Sequence, residues 1–332
     1  MGHLYTLEDI GDEEIEGLLE DAAAFKRGHK DSVGAGKTAC FVFLNPSLRT
    51  RVSMETACHR LGLNCLSLHP GSDAWKLEWR DGVEMSADTQ EHIEEAASVL
   101  SRFVQVLGVR AFPGGKDLKE DQADPVLRGF VQYSGVPVIN LESTLYHPMQ
   151  ALADWMTMRE LAGDLKGRKI ALTWTYHPRA VPMAVTNSFL LAAARTGCDL
   201  VLTHPPGFEL LPEITQKIES LAKAHEGTYA MTNSQDEALD GASIVYVKSW
   251  GSARHYGNAE EEAKLRAPHK NWKVTLEKLR HTKSAKVMHC LPLRRNVEVD
   301  EAVLRSSHSA VIQEAENRLW TSMAVLKRLV AA

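Results

Sequence analysis

The sequence predicts an α/β protein with two doubly wound parallel-sheet domains joined by helices. Short apolar runs rich in Val, Ile and Phe alternate with helix-period segments along almost all of the 332 residues. That is the pattern of parallel strands covered on both faces. The runs also fall into two series that part near Gly163–Gly167, and a chain of this length has room for two domains of ordinary size.

In chain order, "DEEIEGLLEDAAAFKRG" reads as a helix with Ile15, Leu18, Leu19 and Ala22 on one side. There follow the strand "TACFVFLN", a helix over Leu48–Leu61, the strand "NCLSLH", a helix over Glu91–Arg102 and the strand "VQVLGVR". A helix over Pro125–Tyr133 and the strand "VPVINLE" complete the first series. "HPMQALADWMTMRELAG" is a long helix, opened by Pro148 and closed by Gly163. The second series opens with "RKIALTWT" and continues through a helix over Val181–Arg195, "CDLVLTHP", a helix over Glu213–His225 and "GTYAMT". A helix over Ser234–Leu239 and the strands "SIVYVKSW", "AKVMHCLP" and "SAVIQE" follow, and "ENRLWTSMAVLKRLVA" is the last helix. Two long irregular stretches, His69–Thr89 and Trp250–Trp272, have the length of functional loops.

Composition narrows the function. A net charge of −5 does not suit a nucleic-acid partner, and no apolar run approaches a membrane span. The acidic N-terminus has no apolar signal core. Five scattered cysteines without a C-x-x-C pair argue against a disulfide framework or a zinc site and for a reducing cytoplasm. "GAGKT" at Gly34–Thr38 resembles the end of a phosphate loop. However, Asp31 stands where that loop needs glycine, and the strand follows instead of preceding. No G-x-G-x-x-G follows a strand, which argues against a dinucleotide-dependent dehydrogenase.

The chemistry gathers at strand ends. "FLNPSLRTRVSMETACHRLG" packs Ser47, Arg49, Thr50, Arg51 and Ser53 where an apolar strand hands over to a helix. A helix N-terminus offers free N–H groups, hydroxyls add donors, and arginine adds a planar fork, so the turn can hold a phosphate. The plainer reading is a surface helix capped by Ser47. Arg110, Glu142, His147 with Gln150, Tyr176 with His177, Lys248 and His289–Leu291 follow other strands, and Arg318 is expected just after the last one. In open α/β sheets ligands bind beyond the carboxyl ends of strands.

These residues also carry a family resemblance. "NPSLRTR" resembles the S-T-R-T-R motif of the aspartate/ornithine transcarbamylases, and "HPMQ" and "HCLP" resemble two further motifs of that family, in order along nearly the whole chain. Leu48 in place of Thr, "DAWKLE", "GVRAF", "TWTYHP", "KSWG", "HCLPLRRN" and "EAENR" resemble the branch acting on N-acylated ornithine. The ornithine enzymes carry an S-M-G loop and a nearby Asp for the free α-ammonium, whereas an acylated nitrogen needs no such partner. The resemblance implies a carbamoyl-phosphate-binding domain over 1–147, an interdomain helix over 148–163, an acylornithine-binding domain over 164–312 and a returning helix over 313–332.

The implied reaction carries the carbamoyl group of carbamoyl phosphate to the δ-amine of an N-acyl-L-ornithine, in arginine biosynthesis, with no cofactor and no metal. Ser47, Leu48, Arg49 and Thr50 would hold the phosphate. Thr50, Arg110 and His147 would stabilise the tetrahedral oxygen. Gln150 and the Leu291 carbonyl would orient the carbamoyl NH2, with Arg318 near the carbamoyl phosphate. Glu142, Lys248 and Cys290–Leu291 would bind the amino acid, and His177 and Arg294 its carboxylate or acyl group. Cys290 beside His289 invites a nucleophile's role, although the implied chemistry needs no covalent step and simple core is an equal reading. Trp75 would reach the site of a neighbour in a homotrimer; by itself it reads as a loop anchor. His177 alternatively caps the following helix.

Gln90, at the start of the helix "QEHIEEAASVL", stands where acetyl enzymes tend to have Glu and succinyl enzymes Pro, and Glu298 stands where acetyl enzymes carry an acidic group. The five-residue step from Glu142 to His147 resembles the succinyl type. N-acetylornithine is the favoured substrate and N-succinylornithine the alternative; a non-catalytic ligand-binding homologue is a third reading.

Overall fold

In the computed structural model, which describes residues 2–331, the chain divides into two compact units. One comprises residues 1–114, 119–152 and 317–332, the other 115–118 and 153–316. The first unit holds β1 (Thr38–Phe43), β2 (Asn64–Leu68), β3 (Leu77–Glu78), β4 (Glu91–His92), β5 (Val106–Arg110) and β6 (Val138–Glu142). Its helices are α1 (Asp12–Lys26), α2 (Leu48–Leu61), α3 (Ile93–Phe103), α4 (Leu118–Gln122) and α5 (Pro125–Tyr133), with α6 (Pro148–Ala162) leading out of it. Strands β2-β1-β5-β6 form a four-stranded sheet in which every pairing is parallel. Beneath it Val42, Ile93, Ala97, Leu107, Val109, Leu127 and Phe130 form the core. Gly108 sits centrally in β5 because a Cβ there would lie 2.7 Å from the Phe41 ring and 2.9 Å from Leu141. The order reverses about β1, which places the ligand crevice at the carboxyl ends of β1 and β5.

The second unit has β7 (Lys169–Trp174), β8 (Asp199–Thr203), β9 (Thr228–Thr232), β10 (Ile244–Lys248) and β11 (Lys286–Met288). They form a parallel sheet in the order β11-β10-β7-β8-β9, with the reversal between β7 and β10. Its helices are α7 (Ala184–Ala194), α8 (Pro212–Ala224), α9 (Gln235–Leu239), α10 (Ala259–Arg266), α11 (Leu276–Leu279) and α12 (Glu301–Leu304). The last helix, α13 (Val311–Ala331), returns to the first unit from Asn317 onward. Every residue of α7 is buried, as its lack of a polar face dictates.

Three expectations are corrected. "SAVIQE" is not a strand. Only Ser309 bridges to Val287, and α13 begins at Val311, so Arg318 lies within a helix and not after a strand. The helix expected from Glu91 begins at Ile93, capped by the His92 ring. Gln90 therefore does not start it but precedes β4, a two-residue strand paired with β3. Within the stretch expected to be irregular, residues 259–266 are helical.

Candidate active site

The first half of the site grows from the end of β1. Ser47 is the N-cap of α2, and its hydroxyl accepts from the Thr50 N–H at 3.2 Å. At the other end Gly62, at φ +75°, closes the helix in the left-handed conformation that glycine adopts without a Cβ clash. Leu48 and Arg49 open the first turn; Leu48 is exposed and Arg49 partly so. Thr50 is buried, and its hydroxyl accepts from Nη2 of Arg318 at 2.9 Å. Nη1 of Arg318 donates to Oε1 of Gln150 at 2.6 Å. One buried guanidinium thus joins the phosphate-type turn of α2, the "HPMQ" turn of α6 and α13.

A second group adjoins the ends of β5 and β6. Nη1 of Arg110 donates to the Glu142 carboxylate and lies 3.4 Å from the Leu141 carbonyl. Its buried Nε has no partner among the described residues. Such an orphaned donor is costly in a finished interior and suits an anion yet to arrive. Glu142 sits at φ +134°, unusual for a residue with a Cβ, beside a register shift between β5 and β6. His147 is buried, with Nε2 3.5 Å from Glu142 Oε2. Burial first, then the charges of Arg318 and Arg110, hold its pKa well below 6.5, so the ring is neutral at pH 7.

Trp75 and Gln90 lie outside both groups. Trp75 is 61 % exposed and so is not a buried anchor of its loop. Gln90 is exposed, and its N–H donates to the Lys76 carbonyl.

In the second unit the functional side chains collect where its strand order reverses. Lys248 ends β10, and its ammonium donates to the Ser249 carbonyl at 3.2 Å. No carboxylate forms an ion pair with it among the described residues. His177 lies in the turn after β7. Its Nε2 accepts from Nε of Arg294 at 3.0 Å, and its Nδ1 faces the Arg179 backbone, 2.7 Å from the carbonyl and 3.1 Å from the N–H. Burial lowers the pKa of His177. Cys290 is buried, and Leu291 sits at φ +53° with its N–H donated to Nδ1 of His289 at 2.8 Å. Glu298 is buried with both oxygens occupied, one accepting from the Arg294 N–H at 2.7 Å and the other 3.4 Å from Nε2 of His289. Burial pushes its pKa up, but the His289 hydrogen bond and charge, Lys248 and the Arg294 N–H outweigh this and keep it low.

Two supports were not singled out from the sequence. Glu314, buried in α13, accepts from the His289 N–H at 2.7 Å and so pins the "HCLP" turn. Arg266 donates to Ser249 Oγ at 3.1 Å and to the Trp250 carbonyl at 2.9 Å, holding the "KSW" turn, while Glu262 balances its charge. Glu314 was at least signalled, since it opens "EAENR". Among the described residues no group of three His, Cys, Asp or Glu could hold a metal ion.

Two parallel sheets, each with its polar side chains at the reversal of strand order and one with an arginine-rich anion cradle, define a two-domain α/β protein that handles a phosphorylated small molecule. Residues 2–160 match the carbamoyl-P binding domain of aspartate/ornithine carbamoyltransferases, and residues 166–329 match the Asp/Orn binding domain. The chain belongs to the aspartate/ornithine carbamoyltransferase family. It is 42 % identical over 332 residues to the N-acetylornithine carbamoyltransferase of Xanthomonas campestris pv. campestris, covering 99 % of this chain and 97 % of that one. It is 36 % identical over 326 residues to the N-succinylornithine carbamoyltransferase of Bacteroides thetaiotaomicron, covering 98 % and 97 %. A crystal structure of acetylornithine transcarbamylase complexed with acetylcitrulline superposes with a TM-score of 0.97 at 41 % identity, covering 99 % of each chain.

Proposed function

We propose that the protein transfers the carbamoyl group of carbamoyl phosphate to the δ-amine of N-acetyl-L-ornithine, giving N-acetyl-L-citrulline and phosphate, as a step of arginine biosynthesis in the cytoplasm. The observation that carries the choice of an acylated substrate is the charge at the reversal of the second sheet. Lys248, His177 and Arg294 gather there, and the buried carboxylate beside them, Glu298, is already occupied. A free α-ammonium would find no partner in this set, whereas the carboxylate of an N-acyl amino acid would find cations.

In this reading the phosphate lies over the N-terminus of α2, between Ser47, Leu48, Arg49 and Thr50. The neutral δ-amine attacks the carbamoyl carbon, a C–N bond forms, and charge builds on the carbonyl oxygen. Thr50, Nε of Arg110 and a neutral His147 supply preorganised donors to it. Gln150, held by Arg318, and the Leu291 carbonyl orient the carbamoyl NH2. The C–O bond to phosphate then breaks with its electron pair on the phosphate, which takes up the amine proton. Cys290 forms no covalent bond in this sequence and, with Glu142, serves to line the amino-acid site.

Acetyl is preferred to succinyl because Gln90 keeps bulk where a longer acyl chain would need room, and the 42 % relative supports the same choice. Comparing kcat/KM for N-acetylornithine, N-succinylornithine and ornithine tests this directly. Faster turnover of free ornithine would end the charge argument, and faster turnover of the succinyl substrate would end the bulk argument.

The assembly proposed is a homotrimer with shared sites. Leu48 is 72 % exposed, Val52 lies exposed one turn further along α2, and Trp75 is exposed on its loop, apolar side chains that a second copy would cover.

A further inference from the structure

A separate cavity of 540 Å³ opens on the first unit, lined among others by Phe25, Lys26, His29, Lys30, Arg60 and Trp320. Its volume falls within the roughly 300–1,000 Å³ of ordinary small-molecule sites. It lies away from the anion cradle: Arg60 stands ten residues beyond Thr50 on α2, about 15 Å along the axis at ~1.5 Å per residue.

We propose that this cavity binds a nucleoside monophosphate, an anion carrying a planar ring. The floor is apolar, formed by buried Phe25 and Met323. Trp320 supplies an aromatic face, over which the Arg60 guanidinium lies 4.8 Å from the ring centroid. Arg60 and Lys30 are exposed and form no hydrogen bond or ion pair among the described residues, so no acidic group neutralises either charge, and Arg60 rests only against the Trp320 ring. His29 packs its ring against Phe25 at 5.7 Å and presents a third donor. Lys26, also on the rim, donates to Oδ1 of Asn317 at 2.8 Å. The single acidic group at the rim, Asp31, is engaged by the Val33 N–H at 2.9 Å and by Lys327 at 3.9 Å, so it does not cancel these cations.

A chain with net charge −5 thus gathers three permanent cations around one hollow with an aromatic wall. A purely solvated basic patch would need no apolar floor, and a purely apolar pocket would not keep Arg60 and Lys30 uncommitted. A base that takes the place of the exposed Arg60 guanidinium on the Trp320 face, and a phosphate met by that displaced guanidinium and Lys30, use both features, since arginine matches phosphate geometry and aromatic faces accept any base.

The test is calorimetric titration at low salt with AMP, UMP, adenosine and inorganic phosphate. AMP or UMP is expected to bind saturably, with adenosine and phosphate each weaker by roughly tenfold because each keeps half of the contacts. Arg60→Ala and Trp320→Leu should each weaken the nucleotide by roughly tenfold. Arg60→Ala should leave carbamoyl transfer unchanged, since this residue touches no part of the cradle. Arg49→Ala should leave nucleotide binding unchanged, which separates the cavity from the cradle. No saturable binding of either nucleotide to the wild type, equal binding by phosphate alone, or wild-type affinity in both cavity variants would overturn the proposal. So would loss of binding in Arg49→Ala, because the nucleotide would then occupy the cradle.

Discussion

Replacing Arg318 by Lys keeps a positive charge but removes the fork. In the native arrangement Nη2 serves Thr50 and Nη1 serves Gln150, at 2.9 Å and 2.6 Å. An ammonium on a shorter stem can serve one of the two acceptors at a time. Each hydrogen bond to a charged group is worth about 1.5–3 kcal/mol, so the variant forfeits one such contribution to holding Thr50 and Gln150, the groups proposed to act on the carbamoyl unit. At ~1.36 kcal/mol per decade, kcat/KM should fall roughly ten- to hundredfold. The fall should show mainly in kcat if Thr50 and Gln150 act on the transition state. Initial rates of ureido-product formation across both substrates give the two constants, and a thermal melt shows whether the fold is intact. If Arg318→Lys retains kcat/KM within about threefold of wild type, the geometry of the fork is irrelevant and only the charge matters.

Other perturbations address other parts of the molecule. His147 has a native pKa below its unfolded value of 6.5, so below that pH the unfolded chain binds more protons and folding stability falls as the solution is acidified. Urea midpoints measured between pH 7 and pH 5 should drop, and His147→Asn should flatten that slope; an unchanged slope would show that the buried ring is not the group titrating. Arg266→Met leaves Glu262 as an uncompensated buried charge and should cost about 3–5 kcal/mol, most of it recovered in Arg266→Met/Glu262→Met. Equal stability of the single and double variants in denaturant titrations would refute the pairing. Mixing Trp75→Ala with Arg49→Ala subunits should restore part of the activity lost in each if sites are shared. A fully active monomer by light scattering would remove the trimer. Gln90→Pro should raise kcat/KM for N-succinylornithine relative to N-acetylornithine by roughly tenfold or more, and an unchanged ratio would free Gln90 of the specificity role.

The two sheets were legible because their central strands are buried on both faces. "TACFVF" and "KIALTW" are nearly unbroken apolar runs, and in a chain that alternates them with helices such runs can only be parallel strands. The C-terminal "SAVIQE" was misread for a related reason. Val311 and Ile312 favour strands locally, but helical spacing places Glu314 to hold His289 and Arg318 to hold Thr50 and Gln150, and those bonds reward the helix. Helix α10 was invisible because "AEEEAKLR" is polar almost all round and shows no apolar period. It is held by buried Arg266, which pairs with Glu262 four residues earlier and lies 5.2 Å from the Trp174 ring and 5.0 Å from Phe208. Nothing in the local sequence says that this one arginine turns inward.

The same division runs through the site. Residue types could be read from the turn "NPSLRTR" because phosphate chemistry is local: hydroxyls, guanidiniums and helix N–H groups lie within a few residues of one another. What they do to each other could not be read, because the deciding contacts span 32 residues between Arg110 and Glu142, 168 between Gln150 and Arg318, and 268 between Thr50 and Arg318. The neutral state of His147 is such a product. It follows from burial and from two arginines, Arg110 and Arg318, neither of which is its neighbour in sequence. A protonated imidazole at that position would add a third charge to an already cationic cradle and would bind the phosphate dianion without regard to the reaction's progress. A neutral imidazole contributes a donor whose bond strengthens only as the carbamoyl oxygen becomes anionic. In the proposed reaction Arg110 and Arg318, which act on the carbamoyl oxygen and its orienting side chains, would therefore also keep the histidine in the form that discriminates the transition state from the ground state.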